Sequence, residues 1–283
     1  MPYLVQHSEQ RNWSGAGVLS SPILENKNTE LPSVFEPAAL LREARRQKGL
    51  PAASVPPVCI LDPDNDIVQR LKKSARAARF DAWPCYHSDL YTFPLAGKTA
   101  GIIGRAVGAP FAVLIAEELF ACGCRLLISL TSAGQITPVA SPPYFVIIDR
   151  ALRDEGTSYH YAAPQIFAEA DRHLVATAAR ALKEAGQQAF VGSSWTTDAP
   201  FRETAAAVAA ARANGVLAVE MEAAALYAFA RRNNAAVLCI AHVTNTMGLA
   251  ERDFEKGEAD GTADALRILD TVTAALQSRE AAI

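Results

Sequence analysis

The sequence has no excess of positive charge: 27 lysines and arginines stand against 30 aspartates and glutamates, a formal net charge of −3. Without a basic field, or a Lys/Arg-rich stretch interleaved with aromatics, nucleic acid and anionic membrane surfaces are disfavoured as partners. It also lacks a long uncharged apolar run. The longest apolar window, residues 106–121, is interrupted by Glu117 and Glu118, whereas a spanning helix needs about 20 apolar residues. The opening stretch MPYLVQHSEQRNW has neither the basic start nor the apolar core of a secretory leader. A soluble cytoplasmic protein is expected. Cysteines are few: Cys59, Cys85, Cys122, Cys124 and Cys239 form no CxxC pair, and they read as small buried thiols. Cys122-Gly-Cys124 is the one metal-like spacing, but no histidine pair accompanies it, so no metal site is expected.

What the chain does have is length and apolar content. Half of its 283 residues are hydrophobic, enough for one large α/β domain or a domain with a small appendage rather than two equal domains. Residues 1–34 are polar, without periodicity, and read as an arm. Ser33 as a cap, Pro37 in the first turn and Leu40, Leu41 and Ala44 on one face predict a helix stopped by Gly49. The expected division is an N-terminal arm and helix over 1–50 and a main domain over 51–283. In the latter, PVCIL reads as a buried strand and 67–80 as a helix with Ile67, Val68 and Leu71 inward. Short strands broken by Pro84, Pro94 and the turn Ala96-Gly97-Lys98 fill 82–104, and GRAVGAP opens a helix over 111–122. RLLISLTS, YFVIID, AFVGSSW, VLAVEM and AAVLCIAHV then read as strands, mostly separated by single helices, before a last helix from about Thr262. This alternation predicts right-handed crossovers and a mainly parallel sheet covered on both faces.

Ligands bind beyond the carboxyl ends of strands in such sheets, and four segments there are chemically loaded. LTSAGQI (130–136) offers hydroxyls and a glycine that lets backbone N–H groups approach an oxyanion. TTDAPFRET (196–204) brings Phe201 and Arg202, a stacking face and a planar donor. Glu220-Met221-Glu222 places two carboxylates before an apolar run, where desolvation is costly unless compensated. HVTNT (242–246) puts Thr244 and Asn245 at the end of an apolar strand. Structural readings stand beside each: a turn for LTSAG, a helix cap for Asp198 or Asn245, and a helix-dipole preference for Glu222.

VEMEAAALY, together with GRAVGAPFAVLIAEELFACG followed by LTSAGQI, resembles the nucleoside phosphorylase family that includes uridine phosphorylase and the hexameric purine nucleoside phosphorylases. The resemblance runs from about Val58 to the C-terminus. It implies a single-domain phosphorylase-like α/β fold whose central sheet is mixed, mainly parallel and partly barrel-like, flanked by helices. It also implies cleavage of a nucleoside by phosphate to a free base and a sugar 1-phosphate, with no metal or organic cofactor. A homo-oligomer, dimers building trimers or hexamers, is expected on the same ground. Glu222 would accept the ribose hydroxyls, Met221 would pack on the sugar, and Glu220 would be their neighbour. Such a grip strengthens as the sugar becomes oxocarbenium-like.

Two departures carry information. Thr244-Asn245 stand where family members that accept 6-amino bases have Ser-Asp. An amide donates and accepts but does not protonate, which favours an oxo-base such as uracil or hypoxanthine, its carbonyl edge read by Arg202 with Phe201. The family's phosphate arginines are also missing: the matched positions fall in Leu61-Asp62-Pro63-Asp64-Asn65-Asp66, near Tyr86 or His87, and on Ser129. Ser132 still matches a phosphate-contacting hydroxyl, and Arg105, with Arg45 and Arg46 as further candidates, would supply the cation. An acidic loop repels a dianion, so hydrolysis, with Asp66 or Asp64 activating water, is the alternative. A non-catalytic nucleoside-binding protein is the other.

Overall fold

The computed structural model describes residues 21–247, 253–254 and 256–280; much of the expected arm lies outside them. The elements in chain order begin with α1 (Pro37–Lys48), β1 (Val58–Asp62), α2 (Asp66–Lys73), β2 (Ala78–Arg79), β3 (Tyr91–Leu95) and β4 (Lys98–Gly104). They continue with α3 (Ala109–Ala121), β5 (Leu126–Gln135), β6 (Tyr144–Asp154), β7 (Phe167–Glu169), α4 (Arg172–Glu184) and β8 (Ala189–Thr197). The last are α5 (Ala205–Ala213), β9 (Val216–Glu220), α6 (Ala223–Asn233), β10 (Ala236–Asn245) and α7 (Thr262–Glu280).

All five residues of β1 are buried, as expected of a strand covered on both faces. It lies between β4 and β5, parallel to both. β10 runs parallel to β5 and antiparallel to β6, β8 runs parallel to β6 and β9, and β9 returns antiparallel to β5. The ring β5-β10-β6-β8-β9 therefore closes into a five-stranded barrel, and β1, β4, β3 and β2 extend the sheet from its side. Helices flank it, α3 against α6 and α4 against α7. The result is a mixed α/β sheet, half of whose strand pairings are parallel among the described residues. The antiparallel pairs lie at the barrel closure and the β2–β4 and β7 margins.

Local signals mostly produce the elements expected of them. Gly49 ends α1 in the left-handed region (φ 64°), and Leu41 and Ala44 are buried. Ser33 does not cap: its hydroxyl donates to Phe35 O, and Glu36 holds the cap position without a side-chain bond. Ile67, Val68 and Leu71 of α2 point inward, but the helix stops well short of residue 80. Ala75 turns left-handed (φ 52°), and the N–H groups of Ala75 and Arg76 close back on Lys72 O and Leu71 O. That is a Schellman end with alanine where glycine is usual, so no glycine announces it.

Candidate active site

One glycine lets three strand ends meet. Gly134 of β5 pairs with Val219 of β9 on one side and Asn245 of β10 on the other. A Cβ there would lie 2.4 Å from Met247 Sδ and 3.2 Å from Val219 Cγ1, so the backbones approach only because the side chain is absent. The tips of β5, β9 and β10 thus bring Ser132, Glu220, Glu222 and Asn245 into one neighbourhood.

Both glutamates are buried, and they differ in how they are satisfied. Glu220 Oε1 accepts from Ser194 Oγ (2.9 Å) and Thr196 Oγ1 (2.5 Å), while Oε2 accepts the backbone N–H of Glu222 and of Ala223, each at 2.7 Å. Its carboxylate covers the exposed amides at the start of α6, the dipole role considered for Glu222. Glu222 Oε1 accepts one backbone N–H, from Gly108 of the glycine loop, at 2.8 Å. Its Oε2 is buried and has no hydrogen-bond partner among the described residues; the Thr131 hydroxyl, which favours the ionised form of this carboxyl, donates to Ser132 O. Burial first, then the charge of Glu220, pushes Glu222 up to about 8, against weaker lowering by the Gly108 amide and the Thr131 hydroxyl. Burial raises Glu220 as well, offset by its four donors. Burial and the nearby Glu220 charge thus both favour a proton on Glu222 at neutral pH. Met221 between them is half-buried.

Next to them is an acidic loop tied to a serine. Ser132 donates to Asp64 twice, through its hydroxyl (2.9 Å to Oδ1) and its backbone N–H (3.2 Å to Oδ2). Lys256 Nζ lies 3.3 Å from Asp64 Oδ2 and 2.5 Å from Asp66 Oδ2. Asp62, whose Oδ2 caps Val68 N–H at the start of α2 (2.9 Å), is pushed up to about 7 by burial. The space left among Asp62, Asp64, Asp66, His242 and Lys256 is about 10 Å³, at the lower limit for one water. His242, stacked on Phe145 at 4.4 Å, is lowered to about 4 by burial and the Lys256 charge, and so is neutral.

Other candidates are placed less directly. Arg105 is exposed and left-handed (φ 66°), its backbone N–H bonded to Asp62 O. Asn245 Oδ1 accepts Met247 N–H at 3.0 Å, and its amide nitrogen faces Thr244 Oγ1 (3.2 Å) and Ala133 O (3.4 Å), so its polar atoms are turned inward. Phe201 (99 % exposed) and Arg202 sit on a one-turn 3-10 helix in solvent. Asp198 accepts Gly156 N–H instead of capping a helix; Thr204 caps α5. Arg45 donates to Cys122 Sγ and Arg46 pairs with Glu43 on the outer face of α1, so neither belongs to this cluster. Ser129 is buried with its hydroxyl unpartnered. Lys256 was not anticipated from sequence; the signal was a lone lysine in the acidic stretch ERDFEKGEADG. An open cavity of about 1240 Å³ lies at the opposite end of α6, among α1, α3 and residues 28–36, and includes none of these residues.

The profile of the phosphorylase superfamily matches residues 46–276. The chain belongs to this superfamily. Among its relatives, a DeoD-type purine nucleoside phosphorylase of Shewanella denitrificans is 28% identical over 164 residues, 57% of this chain and 70% of the relative. A guanosine phosphorylase of Halorubrum lacusprofundi is 28% identical over 186 residues, 63% and 77% of the two chains. The crystal structure of uridine phosphorylase from Vibrio fischeri superposes with a TM-score of 0.67, at 20% identity, covering 79% of this chain and 93% of that one. That likeness establishes the superfamily fold. The matched segment contains Asp64, Ser132, Glu220, Glu222, Asn245 and Lys256.

Proposed function

We propose that the chain cleaves the N-glycosidic bond of an oxo-base nucleoside with inorganic phosphate, releasing the base and a pentose 1-phosphate. The observation that carries this is Glu222 Oε2, a buried carboxyl oxygen without a partner among the described residues, beside the glycine loop and the β5 tip. A stranded buried carboxyl oxygen costs about 1–3 kcal/mol, a cost removed by ligand hydroxyls, which both donate and accept. A vicinal diol of ribose supplies two. As the C1′–N bond lengthens, positive charge on the sugar favours the ionised form of Glu222 and draws proton density from those hydroxyls toward it, so the contact becomes charge-assisted and tightens in the transition state. Phosphate oxygen attacks C1′, and the bonding pair leaves with the base. Asn245, once turned outward, donates to the leaving ring. Ser132 and Arg105 receive the phosphate, and Met221 packs on the sugar.

Phe201 and Arg202 reach the base when the exposed turn bearing them folds over the site or is covered by a neighbouring copy. A homo-oligomer of dimers, and a cytoplasmic setting, belong to the same proposal. Support for phosphate as the co-substrate comes from superfamily membership and the phosphorylase names of the relatives. A second reading, hydrolysis to free pentose, is favoured by one observation: Asp64 already occupies the donors of Ser132.

The test is base release from uridine, inosine, guanosine and adenosine, each with and without phosphate. Release of uracil or hypoxanthine that requires phosphate is expected, with adenosine poorest. Phosphate-independent release establishes hydrolysis, and nucleoside binding without release establishes a non-catalytic binder.

A further inference from the structure

We propose that Asp64 is a built-in occupant of the phosphate cradle and that Lys256 is the cation passed to phosphate when Asp64 withdraws, so that this pair sets the demand for phosphate. The inference rests on the phosphorolytic reading above.

Ser132 aims an N–H and an O–H at the two oxygens of a single carboxylate, at 3.2 and 2.9 Å. Two adjacent donors converging on an anion are what an oxyanion site is made of. Here the anion comes from the loop between β1 and α2. Its second oxygen meets Lys256 Nζ at 3.3 Å, and the same ammonium holds Asp66. The side chains are about one-third exposed (29% for Lys256 and Asp64, 35% for Asp66), so their attraction is only partly screened.

Space decides the order of events. Both Ser132 donors are engaged by Asp64, and only about 10 Å³ is left beside Asp64 and Lys256, so a phosphate reaches those donors where the Asp64 carboxylate has been. Asp64 can leave: it is partly exposed, and among the described residues the bonds that hold its side chain are those to Ser132 and Lys256. Its departure uncovers the Ser132 donors and removes one of two carboxylates facing Lys256. A phosphate dianion then takes both, with more charge than the carboxylate it replaces. Asp64 also lies close enough for its charge to push Glu222 upward, which puts the cradle beside the carboxyl assigned to the sugar. The missing arginines are thus answered by a lysine from the segment between β10 and α7, held in reserve by two aspartates.

The experiment titrates inorganic phosphate calorimetrically into the full chain and into Asp64→Ala, Asp64→Asn and Asp64→Ala/Lys256→Met. Removing a like charge from contact with a bound anion is expected to tighten binding about tenfold or more in Asp64→Ala. Asp64→Asn, which keeps the shape and loses the charge, gives a smaller gain and carries the test if the alanine variant does not fold. The double variant loses the gain. Phosphate binding no tighter in either single variant overturns the proposal. So does wild-type base release without phosphate that both Asp64 variants abolish, since Asp64 would then be activating water. Because phosphate binding is read without nucleoside, the expected gain in a protein that cleaves no nucleoside would sink the glycosidic reading and leave the cradle standing.

Discussion

The carboxylate of Glu220 accepts the backbone N–H of Glu222 at 2.7 Å, so the more satisfied glutamate positions the less satisfied one. Glu220 is anchored on its other side by Ser194 and Thr196 of β8 and also takes the Ala223 amide. The pair divides the work: one carboxylate orders the start of α6, and the other keeps an oxygen in reserve.

Glu222→Ala is therefore expected to lower kcat/KM about 10²- to 10³-fold, the loss of one charge-assisted grip on the transition state, about 3–4 kcal/mol. The sharper measurement compares substrates. On a 2′,3′-dideoxynucleoside, which has no hydroxyls for Oε2, wild type and variant should be equally slow. A deficit of the same size on both substrates would remove Glu222 from the sugar site.

Glu220→Ala should act on folding more than on turnover of what remains folded. It strips an acceptor from two buried backbone amides and two buried hydroxyls, and unsatisfied buried donors cost about 1–3 kcal/mol each before relaxation. A destabilisation of about 3 kcal/mol or more, and a Tm lower by roughly 6–12 °C, is the expected result in thermal unfolding. Glu220→Gln, which keeps one acceptor oxygen, should lose less.

The strands were legible because a strand buried on both faces writes itself as an unbroken apolar run, as β1 does. Their lengths were not. β5 runs on through Ala133–Gln135 and β10 to Asn245 because barrel closure pairs them with each other and with β9, a long-range fact with no local signature. The end of α2 was hidden because Ala75 does a glycine's work. At the site, the burial of Glu222 is legible from its place before an apolar run, whereas the anchoring of Glu220 is not. Its role depends on hydroxyls of β8, which only folding brings near. Lys256 escaped notice for the same reason: its partners Asp64 and Asp66 are about 190 positions away.

The ionisation of Glu222 gives a stability signature with a definite sign. Its folded value, about 8, lies above the ordinary 4.5, so between those pH values the folded state holds a proton that the unfolded state has released. Stability then falls as pH rises through that window and levels off above it. Asp62 and Glu203, both raised to about 7 by burial, slope the same way, so the wild-type curve alone does not isolate Glu222. The difference from Glu222→Gln does, because the amide does not titrate. Relative to wild type, the glutamine variant should gain up to about 1.4 kcal/mol per pH unit between pH 4.5 and 8. Denaturant unfolding at pH 5, 6.5 and 8.5 checks this; a difference flat across pH would mean that Glu222 is not held protonated.

Gly134 supplies the strictest geometric test. Its Cβ in a Gly134→Ala variant would meet Met247 Sδ at 2.4 Å, Val219 Cγ1 at 3.2 Å and Asn245 Oδ1 at 3.3 Å. The thioether sulfur sits on a flexible side chain and can swing away, whereas Val219 and Asn245 belong to the paired strands β9 and β10. Overpacking of this kind costs about 1–3 kcal/mol, and here the strain falls on the junction that aligns Ser132, Glu222 and Asn245. Activity should fall more than stability: kcat/KM down at least tenfold with a Tm loss of only a few degrees. Met247→Ala in the same chain removes the nearest clash. If the junction is what matters, the double variant stays about as inactive as Gly134→Ala, and recovery of activity would place the damage at the Met247 contact instead.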